Sequence, residues 1–353
     1  RSADAMIMKM TRRTPSACPE PPRRLRRSLL AAAAGLLSVV AIAACARGAP
    51  RPNVVLVVLD TVRADHLGVY GYARATSPNL DRFAAESDLY REAYGQAPWT
   101  LPAVATILTG QPPSITGAGR GPHGHRPVRP GVPNLAERLS GRGYDTAAIA
   151  NVLFIGPQSG LARGFKHFDY FKEPNPRHGT RDAKATTDAA LAWLAGHRGA
   201  PFFLMVHYFD AHLTYDPPPP YDTMFEPDDV DRVPRGFGEG EEVARIASGA
   251  LRVTDRQKQS LMARYDGEIR FVDEQFGRLR KGLEDLGLWD RSLVIAVSDH
   301  GEEFWDHGGF EHGHTHFTEL IHIALMVRRP GQTQGTAHGD RVRQTDIAPT
   351  VSA

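Results

Sequence analysis

Cysteine is nearly absent from this 353-residue sequence. The two cysteines, Cys18 and Cys45, both lie within the first 45 residues. The rest of the chain therefore cannot form an internal disulfide, and it offers no thiolate as a nucleophile or metal ligand. An excess of charge of one sign is also lacking, since 42 Lys and Arg stand against 40 Asp and Glu. The composition therefore does not favour nucleic acid as a partner.

The first 45 residues have the layout of an export signal. Basic residues, among them Arg26 and Arg27, precede the apolar run SLLAAAAGLLSVVAIAAC, which ends at Cys45. The final IAAC resembles the lipobox of bacterial lipoproteins, which implies a lipidated Cys45 and an exported, membrane-anchored protein facing the periplasm or cell exterior. The run is also long enough to be an uncleaved helical anchor. We assign 1–45 as a signal peptide with a lipobox, 46–52 as a linker and 53–353 as one domain.

Several short runs of the remaining sequence are apolar on both faces, as in the strands of a buried, mostly parallel sheet. The runs are 53–60, 146–152, 201–209, 292–299 and 323–327. Helical patterns lie between them, most clearly over 265–286, where apolar residues follow a three-four spacing. The alternation predicts an α/β fold, a three-layer α/β/α sandwich. Two polar stretches, 214–222 and 226–253, are predicted to be surface loops overhanging a pocket.

Polar residues end three of the predicted strands. Asp60 ends the first and Asp299 ends the fourth, with His300 directly after it. His207 lies near the end of the third, with His212 just beyond. Carboxyl ends of parallel strands meet at one edge of a sheet, where ligands bind. An aspartate alone in such a position is most often a helix cap. An Asp-His pair after an apolar strand is better explained by a divalent cation, because both groups are costly to bury without a partner.

A histidine-rich tract, EEFWDHGGFEHGHTH, follows the Asp-His pair. Its closeness to that pair makes His307 and His312 candidates for the same site, whereas His314 and His316 are predicted to lie in solvent.

Thr100 begins a short apolar helix within APWTLPAVATILTG. It is predicted to be the N-cap of that helix, since a threonine hydroxyl accepts from a free backbone N–H there. A hydroxyl at this point also faces the positive end of the helix dipole, which favours its alkoxide. Whether Thr100 is only a cap or also takes part in chemistry depends on which residues the rest of the chain places next to it.

Five blocks, in order, resemble the sulfatase branch of the alkaline phosphatase superfamily. They are RPNVVLVVLDTVRADHLGVYGYARATSPNLDRFA, APWTLPAVATILTG, HYFDAH, YDGEIRFVDEQFGRL and VSDHGEEFWDHG. The resemblance runs from about Pro52 to TDIAPT and implies an α/β/α fold, a metal-bound nucleophile and hydrolysis of sulfate or phosphate esters. It makes 53–353 a sulfatase-like catalytic domain, and the helix start in QTDIAPTVSA leaves open whether the family's C-terminal portion is missing.

The resemblance also assigns the metal site. Asp60, Asp299 and His300 fall on metal-ligand positions, and Thr100 falls on the nucleophile position, which completes the inner shell. The resemblance therefore implies that Thr100 is both a cap and a nucleophile, whose alkoxide metal coordination would favour. Because His300 replaces a hard oxygen ligand, one divalent ion is expected, zinc or manganese in preference to calcium.

Three histidines are assigned to the substrate. His212 falls on a position that contacts the anionic ester, and His207 is assigned to substrate binding with it. His312 resembles a histidine that contacts the substrate or its leaving group, and it is predicted to be catalytic.

Departures from the family pattern bear on the substrate. A sulfatase of this branch begins the helix with Cys or Ser, then Pro and Arg, and converts the first residue to formylglycine. This sequence has Thr100, Pro102 and Val104, so the aldehyde cannot form and the arginine is missing. Thr61 also replaces the second of two paired aspartates.

We expect an exported metal-dependent hydrolase of sulfate or phosphate esters, with phosphoesters favoured because the formylglycine motif is missing. The anionic ester is expected to be carried by a glycan or a lipid head group. Two alternatives stay open: a transferase resembling the phosphoethanolamine and phosphoglycerol transferases, and a catalytically degenerate member that binds an anionic glycan.

Overall fold

An eight-stranded sheet crosses the domain formed by Pro52–Ala353. The computed structural model of the chain describes residues 51–122, 124–170, 181–229, 231–238 and 240–353. The predicted signal peptide and residues 46–50 of the linker lie outside these ranges, so lipidation of Cys45 stays a prediction. Within the described residues, no helix combines the length and apolarity needed to span a membrane.

The strands follow one another along the chain as β1 (Asn53–Leu59), β2 (Asp88–Tyr94), β3 (Asp145–Ala150), β4 (His167–Tyr170), β5 (Phe202–Tyr208), β6 (Ser292–Ser298), β7 (Leu325–Arg328) and β8 (Thr336–Arg343). Their order in the sheet is β8-β2-β7-β6-β1-β5-β3-β4. β1 lies between β5 and β6 and is parallel to both. Two antiparallel pairs of short strands lie outside the sheet, Gly119–Gly121 with Gly124–Arg126 and Glu303–Phe304 with Phe310–Glu311.

The sheet confirms the predicted fold class, with one strand reversed. β7, within the predicted run 323–327, is antiparallel to β6 and β2. The reason is that the chain leaves β6 at the carboxyl edge of the sheet, forms a loop there and re-enters from the same edge, so that Leu325 pairs with Val297. β2, β4 and β8 were not predicted, because their partly exposed, polar residues lack the apolar pattern of the central strands.

Helices cover both faces of the sheet, as the three-layer prediction requires. They are α1 (Pro78–Ala84), α2 (Thr100–Thr109), α3 (Pro113–Thr116), α4 (Leu135–Gly141), α5 (Ala183–Gly196), α6 (Glu241–Ala247), α7 (Asp255–Asp285), α8 (Thr318–Ile321) and α9 (Ile347–Ser352). Short 3₁₀ turns occupy Ala64–His66, Gly68–Tyr70, Pro157–Ser159, Trp289–Arg291 and Gln344–Asp346.

Side chains of β1 alternate between two cores, because neighbouring residues of a strand point to opposite faces. Val55, Val57 and Leu59 pack in the core that contains α1, α5 and α7. Their neighbours Val54, Leu56 and Val58 pack in the core that contains α2, α4 and α9. This burial on both faces explains the continuous apolar run of the sequence.

The long helix α7 begins ten residues before the predicted 265–286. Thr254 caps it, and the side chain of Gln257 reaches back to the Thr254 backbone N–H in a capping box. The two stretches predicted as surface loops are only partly so. Tyr215 and Tyr221 of the proline-rich segment are buried, and the stretch 226–253 contains α6.

Candidate active site

The residues predicted to carry the chemistry meet at the carboxyl edge of β1, β5 and β6. Asp60 follows β1, His207 belongs to β5, and Asp299 and His300 follow β6. The N-terminus of α2, with Thr100, lies against them. All five residues are buried, with at most 1% of their surface exposed.

Thr100 is the first residue of α2 and not its cap. Trp99 occupies the N-cap position, and no side chain caps the helix. The Thr100 hydroxyl instead lies 3.5 Å from Asp60 Oδ2 and 3.4 Å from His300 Nε2. The predicted capping role is therefore wrong, and the hydroxyl faces the active-site residues instead.

Asp60 and His207 form a fully buried pair. His207 Nε2 lies 2.9 Å from Asp60 Oδ2, whereas Asp60 Oδ1 is buried without a hydrogen-bond partner. Burial lowers the pKa of His207 to about 4, so a neutral imidazole donates to the carboxylate at pH 7. His207 has no exposed surface and does not fit the predicted role in substrate binding. It orients Asp60.

Asp299 and His300 are fixed by the backbone around them. Asp299 Oδ1 accepts from the N–H groups of Thr61 (3.2 Å) and His300 (2.8 Å), whereas Oδ2 is buried without a hydrogen-bond partner. His300 Nδ1 lies 2.9 Å from the Gly301 carbonyl oxygen, to which it can only donate. This bond sets the tautomer and leaves the lone pair of Nε2 directed toward Thr100.

A divalent cation fits these groups. His300 Nε2 lies 3.7 Å from Asp60 Oδ1 and 3.5 Å from Asp299 Oδ2, the two unpartnered oxygens. Ligands bonded to one zinc ion at about 2.0–2.2 Å in a tetrahedron are roughly 3.3–3.6 Å apart. Two buried oxygens without hydrogen-bond partners, a correctly oriented imidazole and the Thr100 hydroxyl are therefore arranged as one ligand set.

Burial dominates the titration of these ligands. It raises the pKa of Asp60 well above its usual value, with a further contribution from Glu302. Burial, and then the nearby Asp60, raise the pKa of Asp299 to about 7. Burial also lowers the pKa of His300 to about 4. A cation between these groups would stabilise both carboxylates in their ionised form.

The departures from the family pattern are accommodated by the fold. Thr61 has a left-handed backbone (φ 56°), and its hydroxyl donates to the Asp60 carbonyl while its N–H donates to Asp299. A non-glycine residue in this conformation is strained, as is common at functional sites. Val104 is fully buried in the core beneath α2, so position 104 supplies no cation to the site.

Comparison with known proteins identifies the family of the chain. The family model described as Sulfatase matches residues 52–353. The chain belongs to the sulfatase family.

Two curated relatives and one solved structure illustrate the similarity. An arylsulfatase of Clostridium perfringens is 24% identical over 85% of this chain and 74% of its own length. The multifunctional alkaline phosphatase superfamily protein PehA of Trinickia caryophylli is 25% identical over 85% of this chain and 73% of its own. The phosphonate monoester hydrolase of Agrobacterium radiobacter superposes with a TM-score of 0.69 at 23% identity, over 85% of this chain and 73% of that one.

Membership makes the chain a hydrolase of the sulfuric ester class within the alkaline phosphatase superfamily. At the level of the family, the reaction is the metal-dependent hydrolysis of sulfate and phosphate esters, and the ligand set described above matches that chemistry. The fold of this sulfatase-family member agrees with that of the phosphonate monoester hydrolase.

His312 lies beside the predicted ligands and is held by a residue that the sequence analysis missed. Its ring is centred 4.5 Å from that of His300, and its Nδ1 lies 2.9 Å from Glu302 Oε1. Glu302 Oε2 in turn accepts from the hydroxyl of Tyr215 at 2.8 Å. Burial raises the pKa of Glu302 to about 8 and lowers that of His312. The pair therefore holds a proton between them next to the Thr100 site.

His212 lies between Phe209 and His312. Its ring stacks on Phe209 at 4.3 Å and meets the ring of His312 edge-on at 4.8 Å. Nδ1 lies 2.7 Å from the Leu213 carbonyl oxygen. The ring also lines a cavity of about 500 Å³ beside the site.

His307 belongs to a separate cluster. Its Nδ1 lies 2.7 Å from Glu319, and Glu303 offers a further carboxylate within ligand distance of both. His314 pairs with Glu303 at 2.8 Å and is exposed, as is His316. Within the histidine-rich tract, His312 therefore lies at the active site, whereas His307, His314 and His316 lie outside it.

Between pH 6.5 and 8, the metal-free protein is expected to lose stability as the pH rises. Asp299 and Glu302 release protons near 7 and 8 in the folded state, whereas unfolded carboxyls are ionised by about pH 5 and unfolded histidines are neutral above about 6.5. The folded state then binds more protons than the unfolded state, so the free energy of unfolding falls.

Melting temperatures with a chelator and with added zinc or manganese would check this expectation. We expect the stabilisation by metal to grow across the window by on the order of 5 °C, because the cation removes the contribution of Asp299. A metal effect that is the same at both ends of the window would contradict the assignment.

Proposed function

We propose that the chain is an exported, metal-dependent phosphoester hydrolase with Thr100 as its nucleophile. The observation that carries the proposal is the Thr100 hydroxyl, which makes no capping bond and lies within 3.5 Å of both Asp60 and His300. Export and anchoring through Cys45 depend on the sequence pattern alone.

The residues that would hold the cation are Asp60, Asp299 and His300, together with Thr100. When bound, the cation would supply the positive charge that favours the Thr100 alkoxide and polarises the ester. Zinc or manganese suits a set with two carboxylates, one imidazole and one hydroxyl. His207 supports the set by holding Asp60 Oδ2 at 2.9 Å.

Attack by Thr100 would form a bond between its oxygen and the phosphorus or sulfur atom while the bond to the leaving-group oxygen breaks. The backbone N–H groups at the start of α2 would be available to hold one of the anionic oxygens of the ester. His312 is placed to give the proton on Nε2 to the leaving oxygen while its Nδ1 takes the proton of Glu302, which becomes a carboxylate. Water would then cleave the threonyl ester, restoring the hydroxyl and releasing the acid.

The residues found in place of the formylglycine motif support the proposed preference for phosphate over sulfate esters. A threonyl ester can be released only by attack on the phosphorus or sulfur centre, since Thr100 cannot become an aldehyde hydrate. Val104 and Thr61 further remove one cation and one carboxylate from the family pattern. The three residues Thr100, Val104 and Thr61 therefore match neither the sequence motif nor the charge distribution of a formylglycine enzyme.

Four esters with the same 4-nitrophenol leaving group would test the proposal. They are bis(4-nitrophenyl) phosphate, 4-nitrophenyl phenylphosphonate, 4-nitrophenyl phosphate and 4-nitrophenyl sulfate. We expect kcat/KM to be at least about tenfold higher for the best phosphorus ester than for the sulfate, or about 1.4 kcal/mol of transition-state stabilisation. Faster turnover of the sulfate would overturn the preference, and turnover of none of the four would overturn the proposed activity.

A further inference from the structure

The cavity beside the active site has an unusual lining for an enzyme acting on anionic glycans. Apolar side chains, among them Phe209, Leu213 and Val243, form much of its wall. Neither lysine nor arginine is among the described residues that line it, and its one carboxylate is Glu311. A sulfated or uronate-bearing glycan would meet negative charge there without a compensating cation.

This cavity lies where the leaving group of an ester at Thr100 would extend. His212, part of its wall, is in edge-on contact with His312, and His312 packs against His300. The chain of rings therefore leads from the predicted proton donor of the reaction into the cavity. Atoms bonded to the leaving oxygen would enter between His212 and Glu311.

Glu311 is suited to pair with a cationic group of the substrate. Its carboxylate oxygen lies 3.7 Å from His312 Nε2, and its side chain is 30% exposed. Within the described part of the chain no lysine or arginine pairs with it. Burial raises the pKa of Glu311 above its usual value, which is the response of a carboxylate that lacks a strong counter-charge.

The backbone holds Glu311 in this place at some cost. Its φ of 76° is left-handed, which is uncommon for a residue with a side chain. Such strain is retained where the surrounding structure fixes a functional side chain. Across the cavity, Gly238 approaches so closely that a Cβ would lie 2.8 Å from the Leu213 side chain, and its N–H donates to Glu242 at 2.7 Å.

We propose that this cavity binds a cationic leaving group, an amino alcohol whose ammonium is a short alkyl chain away from the ester oxygen. The inference rests on the proposed function and names its substrate class. His312 would protonate the ester oxygen, Glu311 would pair with the ammonium, and the alkyl groups would contact Phe209, Leu213 and Val243. The short distance between His312 Nε2 and the Glu311 carboxylate sets the length of the connecting chain.

Three methyl phosphodiesters that differ in the second alcohol would test this inference on the full-length protein. They carry 2-(trimethylammonio)ethyl, 3,3-dimethylbutyl or 2-sulfoethyl groups, and the first two have nearly the same shape and differ in charge. Release of the alcohol is followed by mass spectrometry. We expect kcat/KM to be about tenfold higher for the cationic ester than for the neutral ester, and lowest for the anionic one.

Substitution of Glu311 should change this order. In E311Q the ratio of cationic to neutral kcat/KM is expected to fall to about one, and E311K should favour the sulfoethyl ester. The matched control is E241Q, which removes the same charge from the exposed first residue of α6 and should leave the ratio within about twofold. Because each comparison is a ratio within one variant, a partial loss of folded protein does not affect it.

The outcomes separate the two proposals. Equal turnover of the cationic and neutral esters by the unmodified protein, or an unchanged ratio in E311Q, would overturn the cationic leaving group while the phosphoester activity stands. If neither these esters nor the 4-nitrophenyl esters are turned over, the proposed function fails and this inference fails with it.

Discussion

Replacing Thr100 with valine is expected to abolish ester hydrolysis while leaving the fold intact. Valine keeps the shape of threonine and removes the hydroxyl, so kcat/KM should fall by roughly 10⁴-fold or more if that hydroxyl is the nucleophile. Because Thr100 is not the cap of α2, the substitution removes no capping bond, and the melting temperature should change little. Steady-state kinetics on bis(4-nitrophenyl) phosphate and a thermal melt would check both parts.

The control is Thr106→Val in the same helix. Thr106 is equally buried, and its hydroxyl donates to the Pro102 carbonyl at 2.8 Å, away from the site. We expect this variant to stay active. A slow phosphoester should also label the unmodified protein on the peptide that contains Thr100, and Thr100→Ser should keep part of the activity. Normal turnover by Thr100→Val would exclude Thr100 and indicate that water attacks the ester directly.

Replacing Asp299 with asparagine should remove the bound metal. Asparagine has the same shape but no charge, and Asp299 Oδ2 is one of two buried oxygens directed at the proposed cation without another partner. We expect the metal content of the purified protein to fall from about one divalent ion per chain to background, because a cation site that loses a charged ligand loses most of its affinity. Elemental analysis by mass spectrometry after dialysis gives this number directly.

His307→Ala is the matched control for this experiment, since His307 belongs to the cluster with Glu303 and Glu319, whose atoms are also spaced like metal ligands. It should keep the ion if the metal is bound by Asp60, Asp299 and His300. The opposite result, with metal retained in Asp299→Asn and lost in His307→Ala, would place the ion in the second cluster. Loss in both variants would mean that each cluster contributes to metal content.

The central part of the fold could be predicted because it is buried on both faces. β1, β5 and β6 show this as continuous apolar runs, and the polar residue that ends each run marks the carboxyl edge of the sheet. That is enough to bring Asp60, His207 and the Asp299-His300 pair together from positions far apart in the chain. The roles predicted for Thr100 and His212 depended in addition on the family resemblance and stay predictions.

The supporting residues could not be predicted in the same way, because their patterns are local and ambiguous. Tyr215 lies in a proline-rich stretch that is typical of an exposed loop, yet its hydroxyl reaches Glu302 from 87 positions away. Glu302 follows the Asp-His-Gly motif as one of two adjacent glutamates, and nothing in the sequence shows that it faces the site while Glu303 joins another cluster. His207 was placed at the correct edge, but its burial behind Asp60 depends on side-chain packing.

The position of β1 at the centre of the sheet has a consequence for how the protein acquires its activity. Contacts that close the site join residues 147 and 238 positions apart, between the carboxyl ends of β1 and β5 and between those of β1 and β6. Such distant pairings require large loops to close, so folding is slow and the apolar strands stay exposed until late. A nascent chain that has not yet reached β6 contains Thr100 without Asp299 and His300. Activity would therefore appear only once nearly the whole domain has been made, and substitutions that weaken β6 would reduce the yield of folded protein before they altered the chemistry.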